Sequence, residues 1–371
     1  MKKLLSRFLY KLEAIYDRWK YRKLGNRPVR IQPFRGYGTP SELFFQGRVL
    51  EDLPVGPARP EDSLWKILLD SIKRFESDEV PFARLKVSVH DTVVEVRAND
   101  EGYFQAWFKL PDPVRLEAGQ QCLSASVELL EPLCPGHAPL QVEAQVCIPQ
   151  RGCRFGVISD IDDTIVQTNV LTPWKLILTL FFRSALTRRS YPGMAAFYRG
   201  LWRFQPGEPV NPFFYISASP WNLYDLLEEY MSYQKFPPDP VMVLRDWGIS
   251  QHEILPTDHN KHKLGFIRLI LQMYSNLNFI LIGDSGQQDP EIYTRLVERY
   301  SHRILAIYIR EVTRRPERIA EIERLRERIS LKEVPLILAE NTLQMAEHAA
   351  AQGWISPQAL VEVRAATDQK K

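Results

Sequence analysis

Hydrophobic and polar positions change their period once along this chain, near residue 150. Before that point the segments 43–50, 83–90, 92–98, 102–109, 121–129 and 140–148 alternate or run apolar, rich in β-branched and aromatic residues and separated by polar turns. That is the period of strands, and their regular spacing predicts a small β-sandwich over 31–150. Pro/Gly-rich stretches at 25–40 and 53–60 punctuate it, and 64–75 has helical spacing. From Arg154 onward apolar runs alternate with helical patterns, which predicts an α/β layer: a parallel sheet with helices on both faces. Its later elements read as strand 304–309, helix 316–329, strand 336–339 and helix 342–351, with a frayed end from Arg364. The expected division is 1–30 for an N-terminal helix and linker, 31–150 for the β-domain, 151–358 for the α/β domain and 359–371 for a tail.

Three of the apolar runs in the second half end in chemistry. The run from Phe155 to Ile158 delivers Asp160, Asp162, Asp163 and Thr164 in quick succession. In open α/β sheets the C-terminal edge of the strands is where ligands bind. Crowded carboxylates are costly unless a cation offsets them, so the cluster implies Mg²⁺, a hard ion that takes oxygen ligands. A second apolar run, 212–216, ends in Ser217, where a hydroxyl and backbone N–H groups can hold a phosphate. Lys263 then opens a helical pattern through Leu264, Ile267 and Leu271, and its ammonium is a point charge suited to phosphate. The third run, 278–282, leads into Gly283, Asp284 and Gly286, with Asp289 five residues beyond Asp284.

In this order the four segments resemble the motifs of the haloacid dehalogenase superfamily of phosphotransferases. These are an Asp-x-Asp-x-Thr loop, a Ser or Thr after a strand, a Lys, and a Gly-Asp loop with a second acid. More narrowly, Asp-Ile-Asp-Asp-Thr-Ile at 160–165, Ser-Ala-Ser-Pro-Trp-Asn-Leu-Tyr at 217–224 and Gly-Asp-Ser-Gly-Gln-Gln-Asp-Pro-Glu-Ile-Tyr at 283–293 are similar to the catalytic domain of the actin-patch phosphatidate phosphatase family. Lipins are more distant relatives, and the resemblance covers roughly 154–356.

The resemblance implies a HAD-like Rossmannoid fold and a Mg²⁺-dependent phosphatase acting through an aspartyl-phosphate. Asp160 would be the nucleophile. Asp162 would protonate the leaving alkoxide and then activate water, its backbone carbonyl also meeting the metal. Ser217 and Lys263 would hold the phosphoryl oxygens, and Thr164 counts with these phosphate-binding residues while bracing the Asp160 loop. Asp160, Asp162, Asp284 and Asp289 form the implied metal set. Asp163 fills the motif's variable position and reads as a loop or helix-start acid, and Lys261 is the rival to Lys263 for the phosphate. His259 and His262 read as rim residues. The short intervals between motifs leave space for only a minimal cap, so the site should admit bulky substrates, phosphatidate first. A soluble or protein phosphate is the alternative substrate, and an interaction protein with a relic site is the alternative from another class.

Composition sets outer bounds. The 371 residues are 45% apolar and 25% charged with a net charge of +3, so there is no nucleic-acid signature. The charge is uneven, however. Residues 1–23 carry eight basic side chains against Glu13 and Asp17, with Leu4, Leu5, Phe8, Leu12, Ile15 and Trp19 at helical spacing. This basic amphipathic pattern suits an anionic membrane surface, or a helix packed on its own domain. Arg7 and Lys11 interrupt any signal-peptide core, so the expected location is the cytoplasm, peripheral on the inner face of the membrane. Cys122, Cys134, Cys147 and Cys153 lack Cys-x-x-Cys spacing and read as reduced thiols. The segment 173–186, helical in spacing and strongly apolar, with Arg183 and then Arg188 and Arg189 at its end, reads as a helix packed on the sheet, with membrane contact beside the site as the further hypothesis.

Overall fold

The computed structural model describes residues 28–52, 79–117, 120–132, 139–161, 164, 190–245 and 259–368. The expectations for the N-terminal amphipathic helix, for the helices over 64–75 and 173–186, for the cap and for Cys134 lie outside these residues.

The first half builds eight strands: β1 Val29–Pro33, β2 Gly36–Gly38, β3 Glu42–Glu51, β4 Arg84–Val89, β5 Thr92–Arg97, β6 Tyr103–Lys109, β7 Cys122–Glu131 and β8 Gln141–Cys147. They form one mostly antiparallel sheet in the order β1-β3-β2-β8-β7-β4-β5, with β6 on the other edge of β3. Inward residues from six strands meet in a single cluster, including Phe45, Leu85, Phe104, Val127 and Val146. One face can do this only if the sheet curls over itself, so the two sheets of a sandwich are here one hydrogen-bonded sheet. β1 and β2 fall in the Pro/Gly-rich stretch that read as punctuation, and their pairing with β3 supplies what local propensity does not.

Cys122 and Cys147 correct the reduced-thiol expectation. Antiparallel pairing of β7 and β8 sets them opposite each other, Cα atoms 4.0 Å apart, and they are joined by a disulfide. Their separation of 25 residues hides this proximity in the sequence. Cys153 is free and half-buried, and burial raises its thiol pKa.

The second half is a six-stranded sheet, every recorded pairing parallel, in the order β11-β10-β9-β12-β13-β14. Its strands are β9 Gly156–Asp160, β10 Phe213–Pro220, β11 Val241–Arg245, β12 Phe279–Asp284, β13 Ile304–Arg310 and β14 Leu336–Ala339. The described helices are α1 Met194–Trp202, α2 Tyr224–Tyr233, α3 His259–Met273, α4 Asp289–Tyr300, α5 Pro316–Ile329, α6 Thr342–Ala351 and α7 Pro357–Asp368. Strand residues alternate between two cores. Val157, Tyr215, Ile282 and Tyr308 join α1, α2, α6 and α7 on one face, and Ile158, Phe214, Leu281 and Ile307 join α3, α4 and α5 on the other. The tail expected to fray is helical through Asp368, because Val363 is fully buried against the α1 face.

The two layers share side chains. Phe34, from the turn after β1, belongs to the α1/α2 core, while Tyr37 and Phe44 pack on each other in the α3/α4 core and Tyr37 lies edge-on to Phe214.

Candidate active site

β9 lies between β10 and β12, so its last residue, Asp160, stands at the middle of the C-terminal sheet edge, fully buried. Its position is fixed from behind. Ser159 Oγ donates to the Asp160 carbonyl (2.7 Å) and lies 2.7 Å from Tyr198 Oη on α1. Burial raises the Tyr198 phenol pKa far above its usual range. Thr164 Oγ1 reaches Asp160 Oδ2 at 3.5 Å. Asp162 and Asp163 lie outside the described residues.

Lys263 is inside α3, which begins at His259 rather than at the lysine as the spacing predicts. Its ammonium is 1% exposed and donates to Asp160 Oδ1 at 2.8 Å and to Asp289 Oδ1. Burial by itself lowers an ammonium pKa, but Asp160 and then Asp289 outweigh it and hold Lys263 well above its ordinary range. The Tyr293 ring lies 5.8 Å away, its hydroxyl tied to the Ile282 carbonyl. The side chains of His259, Lys261 and His262 lie outside the described set.

β12 ends in Asp284. Oδ1 accepts from the amides of Gly286 (2.6 Å) and Gln287 (2.9 Å), closing the loop into α4, while Asp289 Oδ2 accepts from the Asp284 amide at 3.2 Å. Gly283 is required by space: a Cβ there would meet Asp289 Oδ2 at 2.3 Å. Burial, then the Asp289 charge, push the Asp284 carboxyl up to about 7, against the pull of Lys263 and the two amides.

Ser217 sits at the same edge. β10 pairs with β9 so that Ile216 is opposite Asp160, and the next residue, Ser217, is buried with its Oγ accepting from the Ser219 amide at 2.9 Å.

The structure thus gathers Asp160, Lys263, Asp284 and Asp289, with Ser217 beside Asp160. Sequence reasoning missed Ser159, Tyr198, Tyr293 and two arginines. Arg310, the register partner of Asp284, is buried with its pKa pushed down to about 10, donates to Thr342 Oγ1 and Met194 Sδ, and lies over the Tyr191 ring. Arg318 on α5 donates to the carbonyls of Ser285 (2.8 Å) and Gln287 (2.6 Å) and to Glu291, which laces the Asp284 loop to α4. Its helix shows the alternating acids and bases of a solvated face, and no local signal separates Arg318 from its neighbours.

Among the described residues, Asp160, Asp284 and Asp289 each offer a carboxylate oxygen within 4.8 Å of the others. Among the described residues, the buried Asp284 Oδ2 has no hydrogen-bond partner. Three hard oxygen donors and an unsatisfied buried lone pair fit a divalent cation of the Mg²⁺, Ca²⁺ or Mn²⁺ kind. No described helix is long and apolar enough to cross a membrane.

Residues 155–311 match the family model described as "Phosphatidate phosphatase APP1, catalytic domain". That segment is similar to a phosphatidate phosphatase catalytic domain. Phosphatidate phosphatase APP1 of Saccharomyces cerevisiae is 34% identical over 156 residues, which cover 42% of this chain and 26% of that protein. An uncharacterized protein of Schizosaccharomyces pombe is 25% identical over 267 residues, 70% of this chain and 42% of that one. The chain therefore spans less than half the length of these curated relatives. Among solved structures, Bifidobacterium dentium beta-glucuronidase aligns over 89% of this chain and 52% of its own at 9% identity and a TM-score of 0.24, which carries no argument. The APP1-type segment contains β9 through β13 and all five gathered site residues. β1 to β8 fall outside it.

Proposed function

We propose that the protein is a Mg²⁺-dependent phosphatase that hydrolyses a phosphomonoester, phosphatidate at a membrane surface, through an aspartyl-phosphate. The observation that carries this reading is the buried cluster of Asp160, Lys263, Asp284 and Asp289 at the C-terminal edge of a parallel sheet. A HAD-like assignment is supported by the same placement, a central strand ending in the nucleophile.

Asp160 Oδ would attack phosphorus in line with the departing alkoxide, breaking the P–O bond to the leaving group. Lys263 has three donors, two of them turned to Asp160 and Asp289. The third would serve a phosphoryl oxygen, and Ser217 with its following amides would take another. Asp160, Asp284 and Asp289 would hold the cation, which would supply charge neutralisation at the site. Asp162, two residues past Asp160, is the proposed proton shuttle on the strength of the motif. Asp289 positions Lys263 as well as completing the carboxylate set.

The phosphatidate substrate rests on the APP1 match, and a membrane setting on the basic amphipathic pattern of residues 1–23. The same pattern supports a peripheral place on the cytoplasmic face. The test is phosphate release, with and without Mg²⁺, from phosphatidate in mixed micelles, a soluble phosphomonoester and a phosphopeptide. Expected are Mg²⁺-dependent release, fastest from phosphatidate, and its loss in Asp160→Asn. Equal turnover by that variant removes the nucleophile, and a preference for either soluble substrate removes the lipid assignment.

A further inference from the structure

The serines of 217–224 and the aromatic and amide residues that follow them have different partners. Ser217 and Ser219 face the sheet edge and are hydrogen-bonded to each other. Past Pro220, the chain makes a single 3-10 turn, Trp221–Leu223, and enters α2 at Tyr224. Neither the turn nor α2 has a side-chain cap. A helix start normally satisfies its first N–H groups with such a cap, and that bond also fixes the entry angle of the chain. Here the entry is fixed by the β-layer.

Three residues of the β-layer make the contacts. The Phe34 ring stacks on Trp221 with centroids 4.3 Å apart and touches Tyr224 at 4.8 Å. The Arg35 amide donates to Tyr224 Oη at 3.0 Å, while its guanidinium donates to Glu228 on α2 (2.8 Å), to Asp239 (3.1 Å) and to the Pro240 carbonyl (3.2 Å) just before β11. Arg48 Nη1 donates to Asn222 Oδ1. Arg48 is itself 4% exposed, held by Glu79, by the Glu101 carbonyl and by the Tyr103 ring 4.4 Å away. Ringed by such partners it is a rigid fork, so it can hold Asn222 in one place.

We propose that the β-layer is a positioning part of the phosphate site: Phe34, Arg35 and Arg48 fix Trp221, Tyr224 and Asn222, and thereby the end of β10 that presents Ser217. The inference rests on the phosphatase reading of the site. It assigns a role to residues outside the APP1-type segment 155–311. It also divides the motif: its serines serve the phosphate, and its aromatic and amide residues serve the β-layer. Displacing a phosphate-holding group by about 1 Å is enough to cost roughly 10²-fold in rate.

The test uses the full chain with inorganic phosphate as the probe, measured by calorimetry and as an inhibitor of a soluble phosphomonoester. Arg48→Met, Asn222→Ala and the double variant are compared with Ser217→Ala and Lys263→Met. Urea unfolding confirms that each is folded. Arg48→Met and Asn222→Ala should each weaken phosphate binding and raise KM about tenfold, with a smaller change in kcat, and the double variant should be no worse than either single one. Asn222 is only partly buried, so its variant keeps the test open if Arg48→Met fails to fold. Unchanged phosphate affinity and KM in folded Asn222→Ala, or additive losses, overturn the positioning role while leaving the phosphate site intact. Phosphate binding that Ser217→Ala and Lys263→Met leave untouched overturns the site reading itself, and the positioning role with it.

Discussion

Three buried carboxylates surround one buried ammonium at Asp160, Asp284, Asp289 and Lys263, so the cluster is short of positive charge without a cation. Gly283 is where this balance is most exposed to a single methyl group. Gly283→Ala would drive its Cβ into Asp289, whose two oxygens are held by the Lys263 ammonium and the Asp284 amide. We expect a stability loss of about 1–3 kcal/mol in urea unfolding, the usual cost of overpacking. Turnover should drop about 10²-fold as Asp289 moves. Wild-type activity in the variant would show that Asp289 has no fixed task. The acids and the lysine were legible in the sequence because apolar runs end in Asp160 and Asp284 and a helical pattern starts near Lys263. Ser159 and Tyr198 were not, since their contact joins β9 to α1 across 39 residues and leaves no spacing to read.

At the scale of elements, α5 shows how far a pattern can mislead. Its acids and bases three apart predict a solvated face, and most of it is one, but Arg318 turns inward to the Asp284 loop. Arg318→Met should weaken metal-dependent activation about tenfold, as removal of groups bracing metal ligands commonly does, with little change in unfolding midpoint. A Mg²⁺ titration of activity measures it, and an unshifted midpoint of activation would reduce Arg318 to a surface ion pair. On the far side of the sheet, His348 on α6 lies 2.9 Å from Tyr308 Oη with Trp354 edge-on to its ring. Burial lowers its pKa below the ordinary 6.5, so the neutral form is favoured on folding. Its stabilising share is therefore present above pH 6.5 and lost as pH falls through the lowered value. Urea midpoints below pH 6.5 should decline less steeply in His348→Gln, and parallel curves would sink the assignment. Element existence was readable from period and length for β3 to β8 and for β13 to α6. β1 and β2 were not readable, because Pro and Gly conceal strands that only tertiary pairing creates.

For the whole molecule, the carboxylate cluster would couple folding to any metal it holds. A cation that binds only the folded chain stabilises it by about 2.7 kcal/mol at a hundredfold excess over its Kd. Mg²⁺ should therefore raise the thermal midpoint of the wild type and chelator should reverse it, while Asp284→Asn should respond much less. An identical midpoint with Mg²⁺ and with chelator would exclude these residues as its ligands. The two-layer arrangement could be inferred from the change of hydrophobic period near residue 150. The seam between layers could not, because Phe34, Arg35 and Arg48 look unremarkable beside the residues that precede and follow them.

That seam also bears on how the molecule comes into being. The contact from Arg35 to Glu228 spans 193 residues, and the one from Arg48 to Asn222 spans 174. Contacts between such distant partners close late, and during synthesis the N-terminal strands emerge and fold first. A ribosome-bound chain would thus present a finished β-layer before β10 exists, a template awaiting that strand. On the proposed function, the phosphate site would be complete only when translation has passed both.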